Sequence, residues 1–225
     1  MLPWIHLDTA ELEDGQSLRL KSRGSEFSIM LGSNELMNSR LSGSEEALAR
    51  LTLAKLGGRE APRILIGGLG MGFTLRSALK EVGETAQLTV AELVPQVIDW
   101  ARGPMADVFA GSLDDPRVSL YQGDVAEAID AGGWDAILLD VDNGPDGLTR
   151  ESNDALYLAH GLAAAFRGLT PAGVLSVWSS APDPAFTRRL AKAGFTVEEA
   201  PTRASTRKRG ARHMIWLAQK PDGRP

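Results

Sequence analysis

The residues of this chain best suited to chemistry are carboxylates that close apolar runs. Asp135-Ala136-Ile137-Leu138-Leu139-Asp140-Val141-Asp142 ends in two acids two residues apart. Acids paired in this way bind an amine, or one of them accepts its proton. A divalent ion would also suit them, yet no further hard ligand stands nearby. Asp142 opens the stretch Asn143-Gly144-Pro145-Asp146, which equally reads as a polar turn. A second run, Gln87-Leu88-Thr89-Val90-Ala91-Glu92, ends in an acid twenty residues after Gly72. Beside a glycine loop, such a carboxylate accepts both hydroxyls of a ribose; otherwise it is a surface acid opening the helix from Val94. Asp124, in Tyr121-Gln122-Gly123-Asp124-Val125, stands at a third strand-to-helix handover. There it accepts from an adenine amine, caps the helix, or does both.

These acids need elements to hold them. Ile64-Leu65-Ile66 is a short apolar run of the kind found in a parallel strand covered on both faces. Gly67-Gly68-Leu69-Gly70-Met71-Gly72 follows, and Phe73 begins a helix. Alternate glycines permit positive φ in a tight turn and remove the Cβ atoms that would block a ligand. The helix start aims free N–H groups at that ligand. From residue 63 strand and helix alternate, with strands near 63–67, 87–92, 117–121, 135–140 and 173–178. Helices fall near 73–82, 94–103, 124–130, 153–167 and 184–193. Such alternation predicts a parallel sheet with right-handed crossovers, its site at the carboxyl ends of the strands. Residues 195–199 and 213–218 read as two strands with no helix between them, an antiparallel hairpin at the sheet edge.

Residues 1–42 read as a small β-rich appendage, and 43–225 as the main domain. Segments 17–22 and 26–31 alternate apolar and polar residues, and 34–40 adds a further short strand. A helix opens at Ser42-Gly43-Ser44-Glu45-Glu46 and runs to Leu56, with Ser44 as N-cap and both glutamates suiting the helix dipole.

Composition narrows the function classes. Of 225 residues, 43% are hydrophobic and 24% charged, as in a soluble globular protein. The net charge of −5 argues against general affinity for nucleic acid or anionic membrane. With no cysteine and only His6, His160 and His213, neither a thiolate nor a histidine metal site is expected. No stretch has the apolar length of a membrane span, and the start lacks a signal-peptide pattern, so the expected location is the cytoplasm. Tyr157 and His160 fall at i, i+3 on one expected helix, as packing and surface residues or with His160 as a proton acceptor. Trp178 either fills the core or stacks on a substrate. The basic stretch from Arg203 to His213 is a solvated hairpin loop or a flap for a carboxylate or phosphate.

From Phe27 to Trp178 these motifs resemble the spermidine synthase-like branch of the class I S-adenosylmethionine-dependent transferases. The resemblance implies an α/β, class I methyltransferase-like (Rossmann-like) fold with a β-rich N-terminal appendage. It places a nucleoside pocket at Gly68, Gly70, Met71, Gly72, Glu92, Leu93, Gly123, Asp124, Val125 and Asp140. Glu92 would meet ribose, Asp124 adenine, and the glycine loop the methionine-derived moiety, with Asp140 and Asp142 as catalytic acids. Homodimers are frequent in that branch. The chain also departs from the family. Met71 replaces an acid that holds the amine of the decarboxylated donor, and Ala47-Leu48-Ala49 stands where a Tyr-His pair is expected. Val141-Asp142-Asn143 replaces Ser-Ser-Asp, and Trp178 replaces a Gln. The nucleoside half is thus better kept than the amine half. The first expectation is therefore an S-adenosylmethionine-dependent methyltransferase acting on a small-molecule acceptor, an amine or an anionic compound. The alternatives are a polyamine aminopropyltransferase using decarboxylated S-adenosylmethionine, or a non-catalytic nucleoside-binding homologue.

Overall fold

The computed structural model describes residues 2–12, 14–141, 144–145, 155–205 and 210–223. Strands β1 (Ile5–Glu11), β2 (Ser17–Arg23), β3 (Glu26–Leu31) and β4 (Asn34–Asn38) form an antiparallel sheet in chain order. Helix α1 (Gly43–Leu56) then leads to β5 (Arg63–Gly67), α2 (Phe73–Glu81), β6 (Gln87–Glu92), α3 (Pro95–Arg102) and α4 (Ala106–Phe109). The chain continues through β7 (Val118–Gln122), α5 (Val125–Ala131), β8 (Trp134–Leu139) and α6 (Ala159–Gly168). It ends with β9 (Leu169–Ser179), α7 (Pro184–Lys192), β10 (Thr196–Arg203) and β11 (Arg212–Gln219). The second sheet runs β10-β11-β9-β8-β5-β6-β7. Its pairs from β9 to β7 are parallel, and β11 pairs antiparallel with both β9 and β10. The expected mostly parallel sheet with an antiparallel end is thus present.

Central strands are apolar on both faces because both faces are covered. Every residue of β8 is buried, as are Ile64, Leu65 and Ile66 of β5. Side chains alternate between two cores: Ile64, Ile66, Ala136 and Leu138 on one side, Leu65, Ile137 and Leu139 on the other. The first core continues into the N-terminal sheet through Leu20 and Ile29. A polar tie adds to this contact, as the Trp100 indole N–H donates to Asp8 at 2.7 Å. Helix α1 covers the same core, lying across β9 and α2 with Leu48 and Thr52 fully buried.

Several elements differ from the sequence reading. β1 was not expected, because Ile5 and Leu7 face solvent and its side chains show no buried alternation. The helix expected over 153–167 has a boundary at Leu158, whose extended backbone starts α6. Tyr157 lies before that boundary, buried edge-on against Phe186 at 5.7 Å, while His160 is exposed on α6. Residues 106–109 form α4, a turn too short to carry a period, yet it sets Phe109 beneath the glycine loop. A Cβ at Gly72 would stand 2.4 Å from the Phe109 ring, and Gly72 holds φ at +73°. Gly72 therefore serves packing and backbone conformation together. Gly72→Ala is expected to cost about 3 kcal/mol of stability, read as a lower urea midpoint. Gly83→Ala, where an added Cβ meets nothing within 4 Å, should instead be neutral or gain about 0.5 kcal/mol.

Candidate functional site

A cleft of about 830 Å³, counting its open mouth, lies between the N-terminal sheet and the carboxyl ends of β5, β6, β7 and β8. One wall is aliphatic: Leu12, Leu18, Ile29, Leu31, Leu36 and Met37. The other holds Gly68, Gly70, Glu92, Leu93, Gly123, Asp124, Val125 and Asp140. Eight of the predicted site residues therefore line one cavity. Met71 and Gly72 do not line it. Met71 is only 4% exposed and packs into the core, and Gly72 is closed off by Phe109. Asp142, the second predicted catalytic acid, falls outside the described residues.

Glu92 ends β6 with its orientation fixed by backbone donors. Its Oε2 accepts from the Leu69 amide at 3.0 Å and its Oε1 from the Val94 amide at 2.9 Å. The same carboxylate thus ties the glycine loop to the start of α3. Asp124 caps α5, its Oδ1 accepting from the Ala126 amide at 2.8 Å. Its Oδ2 has no partner among the described residues, so capping and ligand contact are compatible.

Asp140 follows β8. Its amide donates to the Gly67 carbonyl at 2.9 Å, extending the β5–β8 ladder by one step. Its own carbonyl presses on Gly68, where a Cβ would sit 2.4 Å away, and Gly68 is at φ +92°. Only glycine fits both demands. The Thr74 hydroxyl, from the first turn of α2, donates to Asp140 Oδ2 at 2.6 Å. Desolvation raises the Asp140 pKa to about 7; the Glu45 carboxylate adds to the rise and the Thr74 hydrogen bond opposes it. Asp140 is thus poised to exchange a proton near neutrality.

Glu45 belongs to this site, which the sequence reading missed. Its role there was to complement the α1 dipole. Thr74, which donates to Asp140, also lies 3.4 Å from the Glu45 carbonyl oxygen; the Glu45 charge adds to the rise at Asp140, and burial raises its own pKa, with the Ser44 hydroxyl donating to it. Ser44 is not the N-cap: that position is Ser42, whose carbonyl accepts from the Glu46 amide. Proximity of 45 to 140 depends on α1 crossing β9 and α2, so no local pattern could have announced it. Trp178 lies in the core, 9% exposed, edge-on to His213 at 4.8 Å, and its indole N–H has no partner among the described residues. The two ends of the basic loop are carried by β10 and β11, and residues 206–209 lie outside the described residues. Among the described residues no group of metal-binding side chains occurs, and no helix is long and apolar enough to cross a membrane.

A parallel sheet of this order with an antiparallel end, beside an N-terminal antiparallel sheet, is the spermidine synthase fold, a class I S-adenosylmethionine-dependent methyltransferase-like architecture. Spermidine synthase from Thermotoga maritima superposes with a TM-score of 0.75 at 20% identity, covering 96% of this chain and 72% of that one. In sequence, a polyamine aminopropyltransferase of Mycobacterium tuberculosis (strain CDC 1551 / Oshkosh) is 35% identical over 127 residues, 54% of this chain and 23% of that protein. Another, from Korarchaeum cryptofilum (strain OPF8), is 36% identical over 99 residues, 43% of this chain and 29% of that protein. The matched stretches thus span about a quarter of these curated relatives. No family model matches the chain. These relatives correct the first functional expectation. They carry the name of aminopropyl transfer and not of methyl transfer, so the methyltransferase reading is overturned.

The raised pKa of Asp140 makes a stability prediction. An unfolded aspartate ionises near 3.8, the folded one near 7. Stability therefore falls as pH rises through this interval, and the loss is complete above it. Asp140→Asn removes the penalty. It should raise the melting temperature above neutral pH, with a ceiling of about 4 kcal/mol, and change it little in acid. An equal effect at both pH extremes would show that ionised Asp140 is not strained.

Proposed function

We propose that this chain is an aminopropyltransferase that uses decarboxylated S-adenosylmethionine and a small amine acceptor. The observation that carries this reading is the charge of the cleft. Its acidic side chains are Glu92, Asp124 and Asp140, and no lysine, arginine or histidine lines it among the described residues. Such a site favours a ligand bearing positive charge and disfavours one bearing a carboxylate. The decarboxylated donor differs from S-adenosylmethionine in lacking that carboxylate. The aliphatic wall suits the methylene chain of an alkyl amine.

The residues fit such a donor. Glu92, held by two amides, presents a carboxylate to ribose hydroxyls. Asp124 has an oxygen available for the adenine amine. Gly68 and Gly70 keep the loop free of side chains along the cleft, with Leu93 and Val125 as its apolar lining. When bound, the donor supplies a propylamine carbon activated by a sulfonium. An acceptor nitrogen forms the new C–N bond, the C–S bond breaks with its electron pair going to sulfur, and the ammonium proton passes to Asp140. Asp140 serves as general base because its pKa lies near neutral pH, where proton capture and regeneration are both accessible. Asp142 is offered as a second acid for the cationic acceptor, on its position two residues after Asp140.

Titration calorimetry with both forms of the donor tests the reading. The decarboxylated form is expected to bind at least about tenfold more tightly. Added to a polyamine, it should give the thioether nucleoside and a longer polyamine. Asp140→Asn should lower turnover about a hundredfold or more while donor affinity changes little. Tighter binding of the carboxylated form would overturn the proposal.

A further inference from the structure

The main chain of Asp140 is fixed twice over, its amide in the β5–β8 ladder and its carbonyl against Gly68. What stays free is rotation of the carboxylate, and Thr74 removes that freedom. The Thr74 hydroxyl donates to Oδ2 at 2.6 Å, the length of a hydroxyl hydrogen bond to a charged oxygen. Oδ1 has no hydrogen-bond partner among the described residues. Asp140 lines the cleft and Thr74 does not. Packing and capping leave this hydroxyl unexplained. Thr74 is the second residue of α2, whose start at Gly72 has no side-chain cap. It is 3% exposed, and on packing grounds alone valine would serve at such a site. Helix α1 is tied to α2 without it, because the Ser77 hydroxyl donates to the Glu46 carbonyl at 3.0 Å. The Glu45 carbonyl lies 3.4 Å from Thr74 Oγ1. A threonine hydroxyl has one hydrogen, and the shorter contact takes it.

We propose that Thr74 is a positioning residue that locks the Asp140 carboxylate by Oδ2, keeps it available as an anion and leaves Oδ1 as the oxygen that meets a ligand amine. That the amine is an acceptor in group transfer rests on the aminopropyl-transfer reading; the lock does not. In that reaction the ammonium proton passes to Oδ1, while Thr74 keeps its own hydrogen on Oδ2. Release of the proton from Oδ1 to water in the open cleft restores the anion, and no hydrogen crosses Thr74. The charges near Asp140 are Glu45 on α1, with Glu46 beside it, and Glu92 and Asp124 on the same cleft wall. Helix α2 brings no cation to this end, since Arg76 donates to the Val108 carbonyl at 2.7 Å. On β11, His213 meets α1 instead, its Nδ1 2.9 Å from the Ser44 hydroxyl. Asp135 stands at the far end of β8, paired with Arg59. Thr74 is thus the one side-chain donor to the Asp140 carboxylate among the described residues. Without it the buried anion would lose its compensating hydrogen bond and its fixed orientation.

The test is 13C NMR of the aspartate carboxyl groups across pH, with Asp140 assigned by Asp140→Asn. The Asp140 midpoint lies at about 7 in the unaltered protein. It should rise by about one pH unit or more in Thr74→Val and in Thr74→Ala, and Thr74→Ser should restore it. An unmoved midpoint in a folded variant lacking the hydroxyl would overturn the lock, whether or not the protein turns over. In the catalytic arm, the rise of kcat with pH should move upward by the same interval. Thr74→Val should then lower kcat about tenfold on the acid side and less at high pH, with KM for the donor within about twofold. A loss of kcat equal at every pH, or one that serine fails to rescue, would mark a structural role and overturn the proposal. If the unaltered protein transfers no aminopropyl group, the proposed reaction fails while the NMR midpoint still decides the lock.

Discussion

The placement of one carboxylate against the ends of two central strands governs this structure. Asp140 continues β8 by a single backbone hydrogen bond to Gly67, and its carbonyl fills the space above Gly68. Any side chain at 68 would push the two strand ends apart. The left-handed turn that follows leads through Gly72 to α2, whose Thr74 returns a hydroxyl to the same carboxylate. The glycine loop is therefore shaped first by what lies beneath it. Gly68 yields to Asp140, Gly72 to Phe109, and Gly70 stands against Met37 from the N-terminal sheet, where a Cβ would approach the sulfur to 3.1 Å. The freedom to approach a ligand follows from a loop already stripped of side chains for internal reasons.

Met37 also shows why the N-terminal sheet matters to the site. The cleft is half sheet edge and half aliphatic wall, and the wall belongs entirely to residues before α1. Leu18 and Ile29 face both this cleft and the shared core. A displacement of that sheet would change cavity and core together. Apolar walls lower the local dielectric, which strengthens each charge interaction at Glu92, Asp124 and Asp140. The same environment makes ionising Asp140 costly.

Much of this architecture is legible in the sequence. Central strands announce themselves as unbroken apolar runs because both faces are buried, and acids at their ends fall on one edge because the strands are parallel. That logic finds Glu92, Asp124 and Asp140 without any three-dimensional contact. It fails where a contact spans the fold. Glu45 lies 95 positions before Asp140, and Ser44 lies 169 before His213; in each case a helix start reads as helix chemistry alone. It also fails at Met71 and Gly72, whose neighbours in a motif line the cleft while they themselves turn into the core. Strand β1 escapes because an edge strand with exposed apolar residues has no alternation to detect.

The exchange between Met71 and Glu45 bears on the chemistry. An acid at position 71 would be packed among the aliphatic side chains that now surround Met71, which is 4% exposed. The chain instead keeps a carboxylate at Glu45, off the cleft lining, whose charge raises the Asp140 pKa. A carboxylate in the cleft would attract the donor's amine directly. Glu45 acts on Asp140 through repulsion, making the Asp140 anion harder to form and so a stronger base. Under the proposed reaction, negative charge has moved from holding the donor to tuning proton transfer. In that reading donor recognition falls to Glu92, Asp124 and the overall negative field of the cleft.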